Sequence, residues 1–530
     1  MQEPIDLAGE PSAADIEAVA LDHRPAAISG EGRERLAAAE AYLQRLIEQR
    51  RLVYGVTTGY GPLATTRIDP SASRTLQRNL VYHLSSGVGE PLPEGHVRAT
   101  IAARIASVAR GHSGLRPAIV DQLLDWLASR IIPEVPAIGT VGASGDLTPL
   151  AHIARALMGE GRIRIGDGPW QEAGGALAQL DREPCQLDGK DAIALVNGTS
   201  ATAGICAVTG AGAERTAAVS ARLGALYAEL LEGHAEAFQR PIGAARPHPG
   251  QLRVHEWLAA LTADSPRLQP WTGAPLCLDA DQPAVQPDQP LPQDPYSVRC
   301  LPQALGAALD AITHHNTTVA RELGSASDNP LLFPDAEMVL HGGNFFGQHL
   351  AFAADALNNA LVHMAVHSER RINRITDPAR NGRLPAFLQP RETGLQSGFM
   401  GAQVTASALV AEMRTTAHPA SIQSVPTNAD NQDVVTMSTR AARQAATNLE
   451  HLQRVLAIEA LALAQASELS GGPPLGPASQ RLVDWVRTLA PPLHEDRSLS
   501  AEIEAVAAAL ASPARTEALV HDLPQPPGRC

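Results

Sequence analysis

The sequence predicts a mainly α-helical protein, and three observations carry that prediction. Alanine and leucine dominate a chain that is 44% hydrophobic but only 3% aromatic, a composition that favours helix over sheet. Beyond Leu301 apolar residues recur at helical spacing through Pro302–Leu323, Phe346–Arg371, Met400–Thr416 and Asn431–Leu469, with shorter helices as far as Leu510. The Ala, Leu and Val spacing within those stretches suits a bundle of long, nearly parallel helices.

In chain order, amphipathic helices are predicted at Ala13–Ala20 and Glu34–Arg51. The pattern breaks at Tyr54-Gly-Val-Thr-Thr-Gly-Tyr-Gly61, where three glycines and two threonines in eight residues cannot sustain a helix, so a loop carries two phenols. Ser71–Gly87 reads as a serine-capped helix ending in Val81-Tyr-His-Leu-Ser-Ser-Gly87. Helices over His96–Arg110 and Arg116–Ile132 lead to Gly139-Thr-Val-Gly-Ala-Ser-Gly-Asp-Leu-Thr-Pro-Leu-Ala-His152. Its three glycines free the backbone, and Asp146 or Thr148 with Pro149 supplies helix-start chemistry. Ala143-Ser144-Gly145 is therefore expected on a tight, exposed turn at the positive end of a helix dipole, where it can bind an anion or do chemistry on its own backbone. Helix resumes through Leu157, Arg162-Ile-Arg-Ile-Gly166 and the stretch toward Ala192 allow a few short strands, and Asn197-Gly-Thr-Ser200 caps a helix reaching about Glu236. Asp264–Pro295 is proline-rich and too irregular for a helix. The tail Pro524–Cys530 reads as disordered.

Several function classes are disfavoured. A formal charge of −14 argues against nucleic acid or an anionic membrane as partner. The five cysteines are scattered and without CxxC spacing, which suits reduced thiols in a cytoplasm. No basic-then-apolar leader and no apolar run of about 18 residues is present, so neither signal peptide nor membrane span is expected. His363 and His367 lie four apart on one helical face, but no Glu follows His363 as a zinc-protease pattern requires, so no metal is expected. Gly210-Ala-Gly-Ala-Glu-Arg lacks the third glycine of a dinucleotide fingerprint, and no Lys-Ser/Thr follows a glycine run.

The glycine-rich loop, with at least six motifs in order over about residues 30 to 515, closely resembles the aromatic amino acid ammonia-lyases and aminomutases that use 4-methylidene-imidazole-5-one (MIO). The resemblance implies that Gly145 N attacks the carbonyl of Ala143, that two waters leave, and that Ser144 supplies the methylidene carbon, with Asp146 supporting the cofactor. It implies that Tyr54 is the base on a mobile lid that also brings Gly61 to the substrate, and that Tyr60, where many relatives have Phe, packs. His83-Leu84 stands at the selectivity pair, where His-Leu accompanies tyrosine, and Leu147 completes the apolar wall. Asn197 helps hold the substrate carboxylate. In Gln293-Asp-Pro-Tyr-Ser-Val-Arg-Cys300, Arg299 pairs with that carboxylate, Tyr296 lies near the cofactor and the amino group, and Gln293 hydrogen-bonds nearby. Phe345, in His341-Gly-Gly-Asn-Phe-Phe-Gly-Gln348, is the aromatic neighbour of the cofactor, and Ser325-Ala-Ser-Asp-Asn-Pro330 is a further matching loop. Asn431 and Gln432 belong to the substrate-side segment Thr427–Asp433, where histidine lyases tend to carry Glu at the position of Gln432.

Together these imply an N-terminal MIO-bearing domain over 1–200 with a few short strands, a long-helix bundle over 201–475, and C-terminal helices with a tail over 476–530. They also imply a homotetramer whose sites each draw residues from three subunits, and no metal or nucleotide. The expected reaction is non-oxidative deamination of L-tyrosine to trans-p-coumarate and ammonia, with slower L-phenylalanine turnover. A tyrosine 2,3-aminomutase shares the same motifs and remains open as an alternative, ahead of histidine or phenylalanine lyases. A non-catalytic or metal-binding helical scaffold is the rival from a different class.

Overall fold

The structure is a computed structural model that describes residues 3–270, 293–392 and 394–524. The fold is mainly α: among the described residues the nine strands are each four residues or shorter. Most of the proline-rich stretch Asp264–Pro295, and all of the tail beyond Pro524, lie outside the described residues.

The chain forms two compact units, and each gathers separate stretches of sequence. The first comprises Met1–Ala211, His314–Ala356 and Pro419–Ala446, and the second Gly212–Thr313, Leu357–His418 and Thr447–Cys530. In the first unit, helices Ala13–Leu21, Gly30–Glu48, Ser73–Leu84, Pro117–Ala128, Leu147–Leu157 and Asp191–Val196 accompany a central helix, Glu94–Val108. That central helix is buried all round from Val97 to Val108, with small apolar residues on every face and two arginines among them. One of these, Arg98, donates to the carbonyls of Val19, Ala20 and Leu127 at 2.8–3.1 Å. Those carbonyls end two neighbouring helices and have no partner within them, so a buried guanidinium replaces water there. Burial lowers the Arg98 pKa to about 10.

Several predicted helices end earlier or begin later in the structure, for local reasons. The helix expected through Ile132 stops at Ala128, because Arg130 takes a left-handed φ of 50° and Ile131–Pro133 pairs antiparallel with Arg162–Ile165. The long helix from Ser200 ends at Leu230, where Gly233 N–H closes on the carbonyl of Ala228. The helix expected from Asn431 begins at Ser438, because Asn431 still lies in the turn closed by the Thr427–Gln432 bridge and Met437 takes a left-handed φ of 53°.

The second unit is helical among its described residues, with Pro249–Thr262, Met400–Thr415, Pro477–Arg487, Ser500–Ala511 and Pro513–Val520. Its buried Arg371 forms an ion pair with the equally buried Glu459, one N–H···O distance being 2.8 Å. Arg222, also buried, donates to the carbonyls of Ala478 and Leu519.

Candidate active site

A cavity of about 1160 Å³ opens in the first unit, and its walls follow from helix geometry. Helix Ser73–Leu84 presents Leu76, Asn79, Leu80, His83 and Leu84 to it, the three- and four-residue spacing of one helical face. Leu147, Ile193 and Val196 extend the apolar wall. His83 Nδ1 lies 3.1 Å from the carbonyl of Asn79. A carbonyl can only accept, so Nδ1 carries a proton, and in the neutral imidazole Nε2 is left as an acceptor.

Ala143 and Ser144 line the cavity next to that wall. The turn is half-buried, with Gly145 and Asp146 fully enclosed, rather than exposed as its composition suggests. Two hydrogen bonds pin it to the backbone of Gly198: Asp146 N–H donates to Gly198 O at 2.7 Å, and Gly198 N–H to Ser144 O at 3.3 Å. Neither uses the amide of Gly145. Ser144 and Gly145 take φ of 53° and 76°, and a Cβ on Gly145 would stand 2.1 Å from Gly198 O. Only glycine fits there, and the turn is held in a sparsely populated conformation by its surroundings.

Asp146 precedes helix Leu147–Leu157 but does not cap it with its side chain. Its buried carboxylate instead accepts from Thr202 N–H and Oγ1, each at 2.7 Å, and from Thr439 Oγ1 at 2.6 Å, so it caps the start of the next long helix. Burial pushes this carboxyl above its ordinary range, against the pull of those hydrogen bonds.

The loop over Tyr54–Gly61 covers one side of the cavity, and its threonines hold it. Thr57 Oγ1 accepts from Val53 N–H at 2.9 Å, and Thr58 Oγ1 from Gly55 N–H at 3.0 Å. Gly61 N–H donates to the phenolic oxygen of Tyr54 at 2.8 Å, so its positive end faces the atom that carries charge in a phenolate. Gly61 has a φ of 52°, and a Cβ on it would lie 2.6 Å from Asn428 Nδ2. The second phenol differs. Burial raises the pKa of Tyr60, and repulsion from Tyr54 adds to it, so Tyr60 stays a neutral phenol. Its ring meets Tyr54 edge-on, with centroids 6.3 Å apart.

The remaining wall is polar. Gln432 donates to Ser144 Oγ at 3.3 Å and is held by Thr427, whose hydroxyl donates to its side-chain carbonyl at 2.8 Å. Asn197, Asn431 and Phe345 also line the cavity. Tyr54, Gly61, His83, Leu84, Ala143, Ser144, Leu147, Asn197, Phe345, Asn431 and Gln432 thus share one cavity. Gln293, Tyr296 and Arg299 belong to the second unit and are not among its lining residues. Tyr296 is 67% exposed, and the Arg299 guanidinium lies 4.6 Å from its ring centroid. His363 and His367, also in the second unit, stack edge-to-face at 4.6 Å, and burial lowers His367 to about 4. Among the described residues no group of three or more His, Cys, Asp or Glu side chains is placed to hold a metal.

Residues 12–488 match the family model of the aromatic amino acid lyases. The chain belongs to that family. The tyrosine ammonia-lyase of Cereibacter sphaeroides is 46% identical over 90% of this aromatic amino acid lyase and 91% of its own length. The histidine ammonia-lyase of Anaeromyxobacter dehalogenans is 42% identical over 93% and 95%. Among solved structures, the tyrosine aminomutase of Streptomyces globisporus superposes with a TM-score of 0.91 at 37% identity, over 98% of this chain and 99% of that one. The family is MIO-dependent, and the residues of this lyase fit the group. Gly145 brings an unhindered amide into a turn that no larger residue could occupy, and Ser144 follows a residue as small as Ala143.

Some residues that build the site carry no sequence signal. Gln77 looks like an ordinary helix residue, yet it is fully buried and all its capacity is used. Its Nε2 donates to Gly55 O and Tyr60 Oη at 3.1 and 3.2 Å, and its Oε1 accepts from the Ala192 and Ile193 N–H groups. It ties helix Ser73–Leu84 to the tyrosine loop. Lys190 and Asp328 form a buried ion pair at 2.5 Å beside Asn197. A lysine preceding a short helix and an aspartate in a Ser-Asp-Asn-Pro loop give no hint that they meet.

Proposed function

We propose that this lyase is a tyrosine ammonia-lyase, converting L-tyrosine to trans-p-coumarate and ammonia. The observation that carries the reading is His83, whose hydrogen-bonded Nδ1 leaves Nε2 to accept the substrate's phenolic O–H. Leu84 and Leu147 line the same wall and suit an aromatic ring. The similarity to tyrosine ammonia-lyases from Cereibacter sphaeroides and Cupriavidus metallidurans supports it, at 46% and 41% identity.

Ala143, Ser144 and Gly145 would provide MIO by cyclisation with loss of two waters, and MIO supplies an electrophile for the substrate amine. Tyr54, as phenolate under the Gly61 N–H, takes the β-proton. The C–H electron pair becomes the double bond, and the C–N pair leaves with the nitrogen. Tyr60, held neutral, cannot substitute as base. Gln432 orients the serine position from its own side, and Phe345 and Asn431 bound the space over it.

The working form in this reading is a homotetramer, in which Tyr296 and Arg299 of other subunits complete each site. The guanidinium fork of Arg299 matches a carboxylate. A tyrosine 67% exposed suits a role fulfilled in an assembly, as do Phe352, Ile422 and Val434, exposed by 57–69%. Co-expressed Tyr54→Phe and Arg299→Gln chains, each inactive alone, should therefore regain part of the activity in mixed tetramers. A mixture as inactive as its components would argue that each site is built from one chain.

The deciding experiment incubates purified protein separately with L-tyrosine, L-phenylalanine and L-histidine and separates products by chromatography. p-Coumarate with ammonia is expected. Cinnamate or urocanate alone would sink the reading. β-Tyrosine as the main product would make the chain a tyrosine 2,3-aminomutase, the second reading, favoured by the likeness to the Streptomyces globisporus enzyme.

His83→Phe should shift preference toward L-phenylalanine. It removes the phenol's acceptor and also relieves phenylalanine of an imidazole left without a partner, an effect of about 1–3 kcal/mol or about ten- to a hundredfold in relative kcat/KM. An unchanged ratio of the two kcat/KM values would refute the pocket assignment.

A further inference from the structure

The two arginines of the buried helix Glu94–Val108 are used differently. Arg98 closes the ends of two neighbouring helices. Arg104, 2% exposed, donates from Nη1 to Asn197 O at 2.9 Å and to Ser327 O at 3.2 Å. Among the described residues it makes no hydrogen bond to a carboxylate, and its Nε and Nη2 meet no acceptor. The carboxylate of Asp328 is taken by Lys190 instead. A guanidinium keeps its charge even when buried, and with water excluded that charge acts through a low dielectric on the two carbonyls.

The carbonyl of Asn197 and the N–H of Gly198 belong to one peptide unit. That unit is trans, so its two polar groups point in opposite directions. One faces Arg104, and the other donates to Ser144 O at 3.3 Å. Guanidinium, peptide and Ser144 carbonyl thus run head to tail, an arrangement in which each hydrogen bond polarises the next. Ser144 O is also the oxygen of the peptide whose nitrogen is Gly145 N. An amide nitrogen is a poor nucleophile while it holds its proton, and once the proton has gone the negative charge is shared with that oxygen.

We propose that Arg104 is a positioning residue for ring closure, its charge relayed through the Asn197–Gly198 peptide to Ser144 O so that Gly145 N–H is lost more readily. The inference rests on the MIO reading above. In the closing step a bond forms between Gly145 N and Ala143 C, the π pair of the Ala143 carbonyl moves to its oxygen, and the proton from Gly145 N ends there. That oxygen leaves as the first water with the hydrogen of Ser144 N; Ser144 Oγ leaves as the second with the Ser144 Cα hydrogen. Arg104 touches none of these atoms and acts only through the peptide between.

The test follows ring formation without turnover. Full-length chains are made in a short cell-free pulse, folded protein is separated by size exclusion, and the peptide carrying Ala143–Gly145 is weighed over time for the loss of two waters. Arg104→Gln keeps an N–H donor but no charge, and should slow that loss about tenfold or more, toward the cost of removing a donor to a developing oxyanion. Arg104→Lys returns the charge and should stay within about threefold of the parent. Arg98→Met removes an equally buried arginine from the same helix without touching Asn197, and should leave the rate in folded molecules unchanged. Arg104→Gln as fast as the parent, Arg104→Lys as slow as Arg104→Gln, or Arg98→Met slowed as much as Arg104→Gln each overturns the assignment. Should Arg104→Gln yield no folded protein, Arg104→Lys decides alone, and slowing beyond about threefold with the charge in place overturns it. A folded parent that never loses the two waters refutes the MIO reading itself, and the role of Arg104 falls with it.

Discussion

Ser144→Ala is expected to lower kcat for L-tyrosine by about a thousandfold or more, equivalent to about 4 kcal/mol of barrier, and to remove near-UV absorbance at the same time. The methylidene carbon has no other source in the turn, whereas alanine tolerates the φ of 53° no worse than serine and leaves the hydrogen bonds to Gly198 untouched, since those use backbone atoms. Stability should therefore change little. Without an activated amine the substrate would have to expel ammonia, a poor leaving group, from a carbon beside a weakly acidic C–H bond, and a side-chain base alone does not overcome that. Retained turnover in this variant would refute the MIO reading, whatever the spectrum showed.

Tyr54→Phe separates the base from the electrophile. We expect kcat to fall about 10²- to 10⁴-fold, the usual contribution of a positioned base, with near-UV absorbance retained. The neighbouring phenol does not take over. Tyr60 donates none of the geometry: its hydroxyl accepts from Gln77, and burial keeps it protonated. Tyr60→Phe should accordingly be much milder than Tyr54→Phe, and a Tyr54→Phe enzyme within tenfold of the parent would move the base elsewhere.

The lining of the candidate cavity was readable where the pattern is local in the chain. Ala143-Ser144-Gly145 needs only three consecutive small residues and a glycine turn, and His83-Leu84 needs only one helical face. The fold class was readable for a related reason, since helical periodicity is a short-range property. What escaped was long-range. Asn197 looked like the cap of the following helix, yet its side chain reaches Asp328, 131 residues on, and Asp146 provides the cap from 56 residues away. Gln77 gave no sign of being the buried hub of the tyrosine loop. The exposure of the Ala143-Ser144-Gly145 turn was also misjudged, because glycine content measures backbone freedom and says nothing about what packs against it. Helix ends were missed where single residues such as Arg130 take left-handed φ, a choice made by the strand that follows.

The contact between Gly145 and Gly198 has a consequence for the life history of the protein. The two glycines are 53 residues apart, and the bonds that press the turn into shape come from Gly198. A newly made chain lacks that clamp until its first unit has closed, so under the proposed MIO reading ring formation would wait for folding. Once made, the ring is covalent and outlasts the structure that made it. Under that reading the cofactor would be a permanent record that a molecule has folded at least once: mature protein unfolded in denaturant should regain activity as soon as it refolds, whereas fresh chains reach the same fold first and become active only after a delay.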